Sequence, residues 1–179
     1  MENIIFNMAK SFIERAEILS KATLGRTATD EEIKLLKQKF DSKLPDWYYF
    51  LISELPLIHM EIGWQDEDKE VQYIEILTPK DMIDESYNAY PGIPILNKGY
   101  ICIGIDPSGS GDPYFINFNN PEYPVFQIYH DSGDQPEEIL SRGREKVTDS
   151  LRELFENGII LEWILHTFLV NIIPILGSK

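Results

Sequence analysis

Apolar residues early in the chain recur at three- and four-residue steps: Ile5, Met8, Ala9, Phe12, Ala16 and Leu19. That spacing predicts an amphipathic helix over 3–23, the main part of an N-terminal helical segment 1–25. "LGRTA" interrupts the period. In "TDEEIKLLKQKF" Thr29 is placed to cap and Glu32 sits three residues on, as a capping box requires. Ile33, Leu36 and Phe40 then share one face. "LPDWYYFLI" reads as a second short helix with Pro45 near its first turn. Trp47, Phe50 and Leu51 are expected to pack against the helix before it.

The pattern changes at residue 57. "LIHMEIGW" and "EVQYIEIL" read as strands joined by the charged loop "QDEDKE". "TPKDMIDESYNAY" reads as a short helix capped by Thr78. "GYICIGI", "PYFINF" and "YPVFQIYH" are rich in aromatic and β-branched residues and are separated by Pro, Gly and Asn turns. Together they predict an antiparallel meander. "EKVTDSLRELFENG" returns to helical spacing through Val147, Leu151, Leu154 and Phe155, with Gly158 at its end. Helices first, strands in the middle and helices last make an α+β fold: an antiparallel β-sheet meander flanked by N-terminal and C-terminal helices.

Between the third and fourth strands lies "DPSGSGDP". A phosphate-binding loop needs a following helix and a lysine, and this stretch has neither. A calcium loop needs more oxygen ligands than Asp106, Ser108 and Asp112 offer. The stretch reads as a structural hairpin loop. Gly109 and Gly111 can take positive φ there without a Cβ clash, and Asp112 can bond nearby backbone N–H groups.

Composition narrows the function. Among 179 residues, 43% are hydrophobic and 26% charged, as in a soluble globular domain. Sixteen Lys and Arg against thirty Asp and Glu give a formal net charge of −14. Such a surface repels a phosphate backbone and attracts a basic protein, so no free nucleic acid is expected as a ligand. The single cysteine, Cys102, fits a reducing cytoplasm, and its place in a strand pattern reads as buried. No Cys/His spacing supports a metal site, and no cofactor is implied. His130 and Asp131 are adjacent, but strand neighbours face opposite ways, so they do not form an acid/base pair. His59 reads as a locally satisfied strand residue. No catalytic residue is assigned.

The stretch "ATDEEIKLLKQKFDSKLPDWYYFL" resembles the opening helix pair of the SUKH superfamily, the group of Smi/Knr-type cell-wall synthesis regulators and bacterial immunity proteins. "GYICIGIDPSGSGDPYFINF", "YPVFQIYHD" and "VTDSLRELF" are similar to its later strands, turn and closing helix, in the right order. The resemblance covers a core of 28–156 within one domain, 1–179. It departs after the second helix, where "ISELPLIHMEIGW" stands in place of an Asn-Gly turn. It implies a non-catalytic protein-binding domain, of the immunity type, that neutralises a cognate and basic toxin by direct binding. A regulatory scaffold and a small-ligand or ion-binding module at the Gly/Asp turn are the alternatives. For partner binding, Trp64 offers an aromatic anchor with Asp66, Glu67 and Asp68 as an acidic rim. Asp131 and Asp134 are a second rim.

The tail, "GIILEWILHTFLVNIIPIL", reads as an apolar C-terminal helical extension over 158–177. A spanning helix needs about twenty mostly apolar residues, and a central charge costs about 2.5–3.5 kcal/mol. Glu162 and His166 are four apart and can pair on one helical face. Packing on the sheet or a homodimer contact through 159–173 therefore ranks ahead of membrane attachment.

Overall fold

The structure is a computed structural model that describes residues 2–19 and 24–160. Most of the apolar extension, the Glu162–His166 pair and most of the expected dimer contact lie outside the described residues. Helix α1 spans Glu2–Leu19, α2 Asp30–Phe40 and α3 Asp46–Glu54. Strands β1 (Glu61–Gln65) and β2 (Val71–Ile76) follow, then helices α4 (Pro79–Tyr87) and α5 (Gly92–Ile95). Strands β3 (Tyr100–Ile105), β4 (Tyr114–Asn117) and β5 (Val125–Ile128) lead to α6 (Pro136–Arg142), β6 (Arg144–Thr148) and α7 (Leu151–Asn157). The six strands form one antiparallel sheet in sequence order, β1 to β6. This is the α+β meander that the hydrophobic pattern predicts.

The helix starts follow local chemistry. Thr29 accepts from the Glu32 N–H while the Glu32 carboxylate accepts from the Thr29 N–H, which closes the capping box. Arg26 holds both Glu32 oxygens at 2.8 and 2.7 Å. The Thr78 hydroxyl accepts from the Asp81 N–H, and Pro79 occupies the first turn, where its missing donor costs nothing.

One apolar cluster holds these elements together. Phe12, Leu36, Phe40, Ile62, Ile74, Phe115, Ile116 and Phe155 are all buried in it. Strands β2 and β3 pair only at Glu75–Ile105 and Ile76–Gly104. Where they part, α4 takes over: the Cys102 N–H donates to the Ser86 hydroxyl at 3.0 Å. Helix α1 closes the core over α7, with Phe12 and Phe155 ring centroids 6.3 Å apart. Arg15 donates to the Phe155 carbonyl at 2.9 Å and so satisfies one of the open carbonyls of α7.

Three expectations change. Residues 144–148 form strand β6 instead of the start of a helix, because Glu145 pairs with Gln127 and Arg144 with Ile128 of β5. Arg144 then stacks 4.3 Å from the Phe126 ring centroid. Helix α6 is an addition that the sequence reading lacked. Phe50 does not pack against α2; it is 54% exposed and lies against Phe6 of α1, with ring centroids 5.2 Å apart.

Candidate functional site

Strand direction decides which loops meet. In a meander β1, β3 and β5 run the same way, so the loops after them gather at one end of the sheet. These loops, 66–70, 106–113 and 129–135, carry eight carboxylates and one lysine. Asp66, Glu67 and Asp68 lie on the first, and Asp131 and Asp134 on the third. The two rims seen separately in the sequence therefore share one end.

The sheet also curls. Gly63 of β1 and Ile159, just past α7, form an isolated antiparallel bridge with two bonds of 2.8 Å. The first and last strands thus flank one cleft of about 500 Å³, lined by Gly63–Gln65, Lys146–Asp149 and the end of α7. The curl sets Glu145 of β6 within charge range of the first loop. Burial pushes the Glu145 carboxyl above its usual range, and Asp66, Glu67 and Asp68 push it further. The Tyr129 hydroxyl, which donates to Glu145 at 3.3 Å, pulls the other way. Tyr129 is itself raised, by burial first and then by Glu145.

The loop tips are held by local bonds. The Asp66 carboxylate accepts from Gln72 Nε2 at 2.9 Å and from the Glu70 N–H at 2.8 Å, which keeps its pKa below the usual value. Asp106 accepts from both the N–H and the hydroxyl of Ser108. Gly109 and Gly111 have φ of 87° and 85°. Asp112 reaches across to the third loop, where Oδ1 accepts the His130 N–H at 2.9 Å and lies 2.8 Å from His130 Nδ1. His130 is thus paired with Asp112 rather than with its neighbour Asp131. Among the described residues no three His, Cys, Asp or Glu side chains are placed to hold a metal ion. His59 sits at a turn with φ 66°, 2.9 Å from Glu75. Cys102 is fully buried, and burial pushes its thiol up, away from a reactive thiolate.

Trp64 requires a correction. It is 5% exposed, not an aromatic anchor on the surface. It shares a face of β1 with Ile62, and its indole N–H donates to the buried Tyr114 hydroxyl at 3.4 Å. The acids beside it, Asp66, Glu67 and Asp68, lie on the loop that follows β1. Glu145, bonded to Tyr129, is in charge range of them and had no signal in the sequence, since only the curl brings it near Asp66–Asp68.

The sequence model of the SMI1 / KNR4 family (SUKH-1) matches residues 27–157, well over half of the chain. The chain belongs to this SUKH-1 family. No curated protein and no solved structure matches it. The matched span runs from the cap of α2 to the end of α7 and takes in all six strands and the acidic loops. Helix α1 lies outside it and packs on α7 of the matched core. Membership is consistent with an immunity or regulatory role. Among the described residues no helix is long and apolar enough to cross a membrane.

Proposed function

We propose that this SUKH-1 protein is a non-catalytic binding protein that neutralises a cognate toxin by direct contact. The reading is carried by the convergence of Asp66, Glu67, Asp68, Asp131 and Asp134 on one end of the sheet, with Glu145 beside them. A face of one sign steers a partner of the opposite sign and raises its rate of encounter. The partner is therefore a basic protein, working in the same compartment as the reduced Cys102. Burial of Trp64 leaves the acids as the recognition element and makes the contact polar and sensitive to salt.

Capture from the native cell followed by mass spectrometry tests this. The expected result is one basic protein whose toxicity or enzymatic activity falls when the SUKH-1 protein is added. Loss of capture on changing Asp66, Glu67 and Asp68 together to Lys, with the fold intact, supports the acidic end. An acidic partner, or capture indifferent to those changes, overturns it. The same family membership favours a second reading, a regulatory scaffold. A captured partner whose activity is unaltered by binding selects that reading instead.

A further inference from the structure

We propose that the cleft between β1 and β6 receives an extended, basic segment of the partner protein as an added β-strand. This rests on the protein-binding reading above and says where and how the partner is held.

The backbone of β1 carries the argument. The Gly63 N–H and C=O both bond to Ile159, on the side away from β2. Backbone groups alternate sides along a strand. Trp64 therefore faces Gln72 of β2, and the Gln65 N–H and C=O turn the same way as those of Gly63, into the cleft. Ile159 uses only the Gly63 position. In that antiparallel register Ile160 lies toward Ile62 and Asn157 toward Gln65, but Asn157 is the last residue of α7 and, among the described residues, makes no backbone bond to Gln65, so the Gln65 position is open. β6 offers the matching edge. The Tyr129 N–H bonds to the Gly143 carbonyl and Gln127 pairs with Glu145, so the neighbours of Glu145, Arg144 and Lys146, turn their backbone away from β5, up to the register shift that follows Lys146. Among the described residues neither outer edge has a further strand. Unpaired strand edges are templates for pairing, and an added strand is a recurrent mode of peptide recognition.

Two features choose the occupant. Gln65, Thr148, Glu153 and Asn157 line the cleft, so an apolar chain would leave their polar groups without water or partner. At the Gln65 end, Asp66, Glu67 and Asp68 follow Gln65 along the chain and Glu145, next to Lys146 of the lining, is within charge range of them, which favours Lys or Arg there. A strand entering there antiparallel to β1 runs parallel to β6, and α7 closes the far end.

The test uses the full chain and three synthetic peptides. One alternates Arg or Lys with Val over eight residues. The second replaces the cations by Glu. The third keeps the cations and is N-methylated at every second residue, which removes the donors along one edge. We expect the first to bind at least tenfold tighter than either other, and to slow hydrogen exchange at the Gln65 amide. Gln65→Pro, which removes a donor that β2 does not use, is expected to weaken binding tenfold. Equal binding of the methylated peptide shows charge attraction alone and overturns the added strand. Equal binding of the Glu peptide, or no binding of any, overturns the proposal. Gln65 exchange already slow without peptide, through contact with residues 161–179, shows the cleft to be filled by the chain itself and also overturns it. Partner capture that survives Gln65→Pro, alongside peptide failure, removes the cleft while leaving the protein-binding reading in place.

Discussion

One oxygen of Asp112 serves His130 twice: it accepts the backbone N–H at 2.9 Å and lies 2.8 Å from Nδ1 of the ring. This ties the loop after β3 to the loop after β5, and the two carry half of the acidic end. Hydrogen bonds to a charged group contribute roughly 1.5–3 kcal/mol. Asp112→Ala is therefore expected to cost about 2 kcal/mol in urea unfolding. His130→Ala keeps the backbone bond and is expected to cost less. An Asp112→Ala variant as stable as the parent would show that the tie carries no weight.

Glu145 sets a pH dependence. Its carboxyl is raised in the folded protein, by burial and then by Asp66, Glu67 and Asp68. The folded state therefore holds this proton more tightly than the unfolded chain. The stability it contributes is present below the ordinary glutamate pKa and is lost as pH rises through the raised value. Glu145→Gln is expected to raise the melting temperature at pH 7 and to give no gain near pH 4. Melting curves across that range check it, and an offset independent of pH would contradict the assignment.

Tyr114→Phe removes the acceptor of the buried Trp64 indole N–H. An unsatisfied buried donor costs roughly 1–3 kcal/mol, and the ring volume is otherwise kept. Denaturant unfolding of the variant is expected to show a loss in that range. No loss would mean that the 3.4 Å contact is too weak to matter.

Thr29→Ala opens the capping box of α2 and is expected to cost about 1 kcal/mol. Arg26 still holds Glu32 in that variant, so the helix should shorten at its start rather than melt. Amide exchange of Ile33 and Lys34 reads this directly; unchanged protection would show the cap to be redundant.

The fold was legible where local chemistry agreed with tertiary structure. Thr29 and Glu32 announce α2, and the apolar runs of β3, β4 and β5 leave no other reading. β6 was not legible. "REKVT" has one apolar residue, and what makes it a strand is pairing with β5 and the stacking of Arg144 on Phe126. Both are long-range, so tertiary contact overrides local pattern there. The burial of Trp64 is consistent with its two-residue step from Ile62, although the charged loop beside it suggested exposure. Asp66–Asp68 and Asp131 were visible as acidic groups. Their meeting was not, since it depends on strand order and curl.

Helix α1 precedes the residues that the family pattern covers, yet Phe12 lies against Phe155, and a Cβ at Gly158 would come within 2.8 Å of the Phe12 ring. A polypeptide begun at residue 27 would keep every family motif and still bare the apolar side of α7 to water. The stretch that encloses this hydrophobic interior is thus longer than the span the family pattern matches, and a transplant of this binding end onto another scaffold is expected to need the first helix with it.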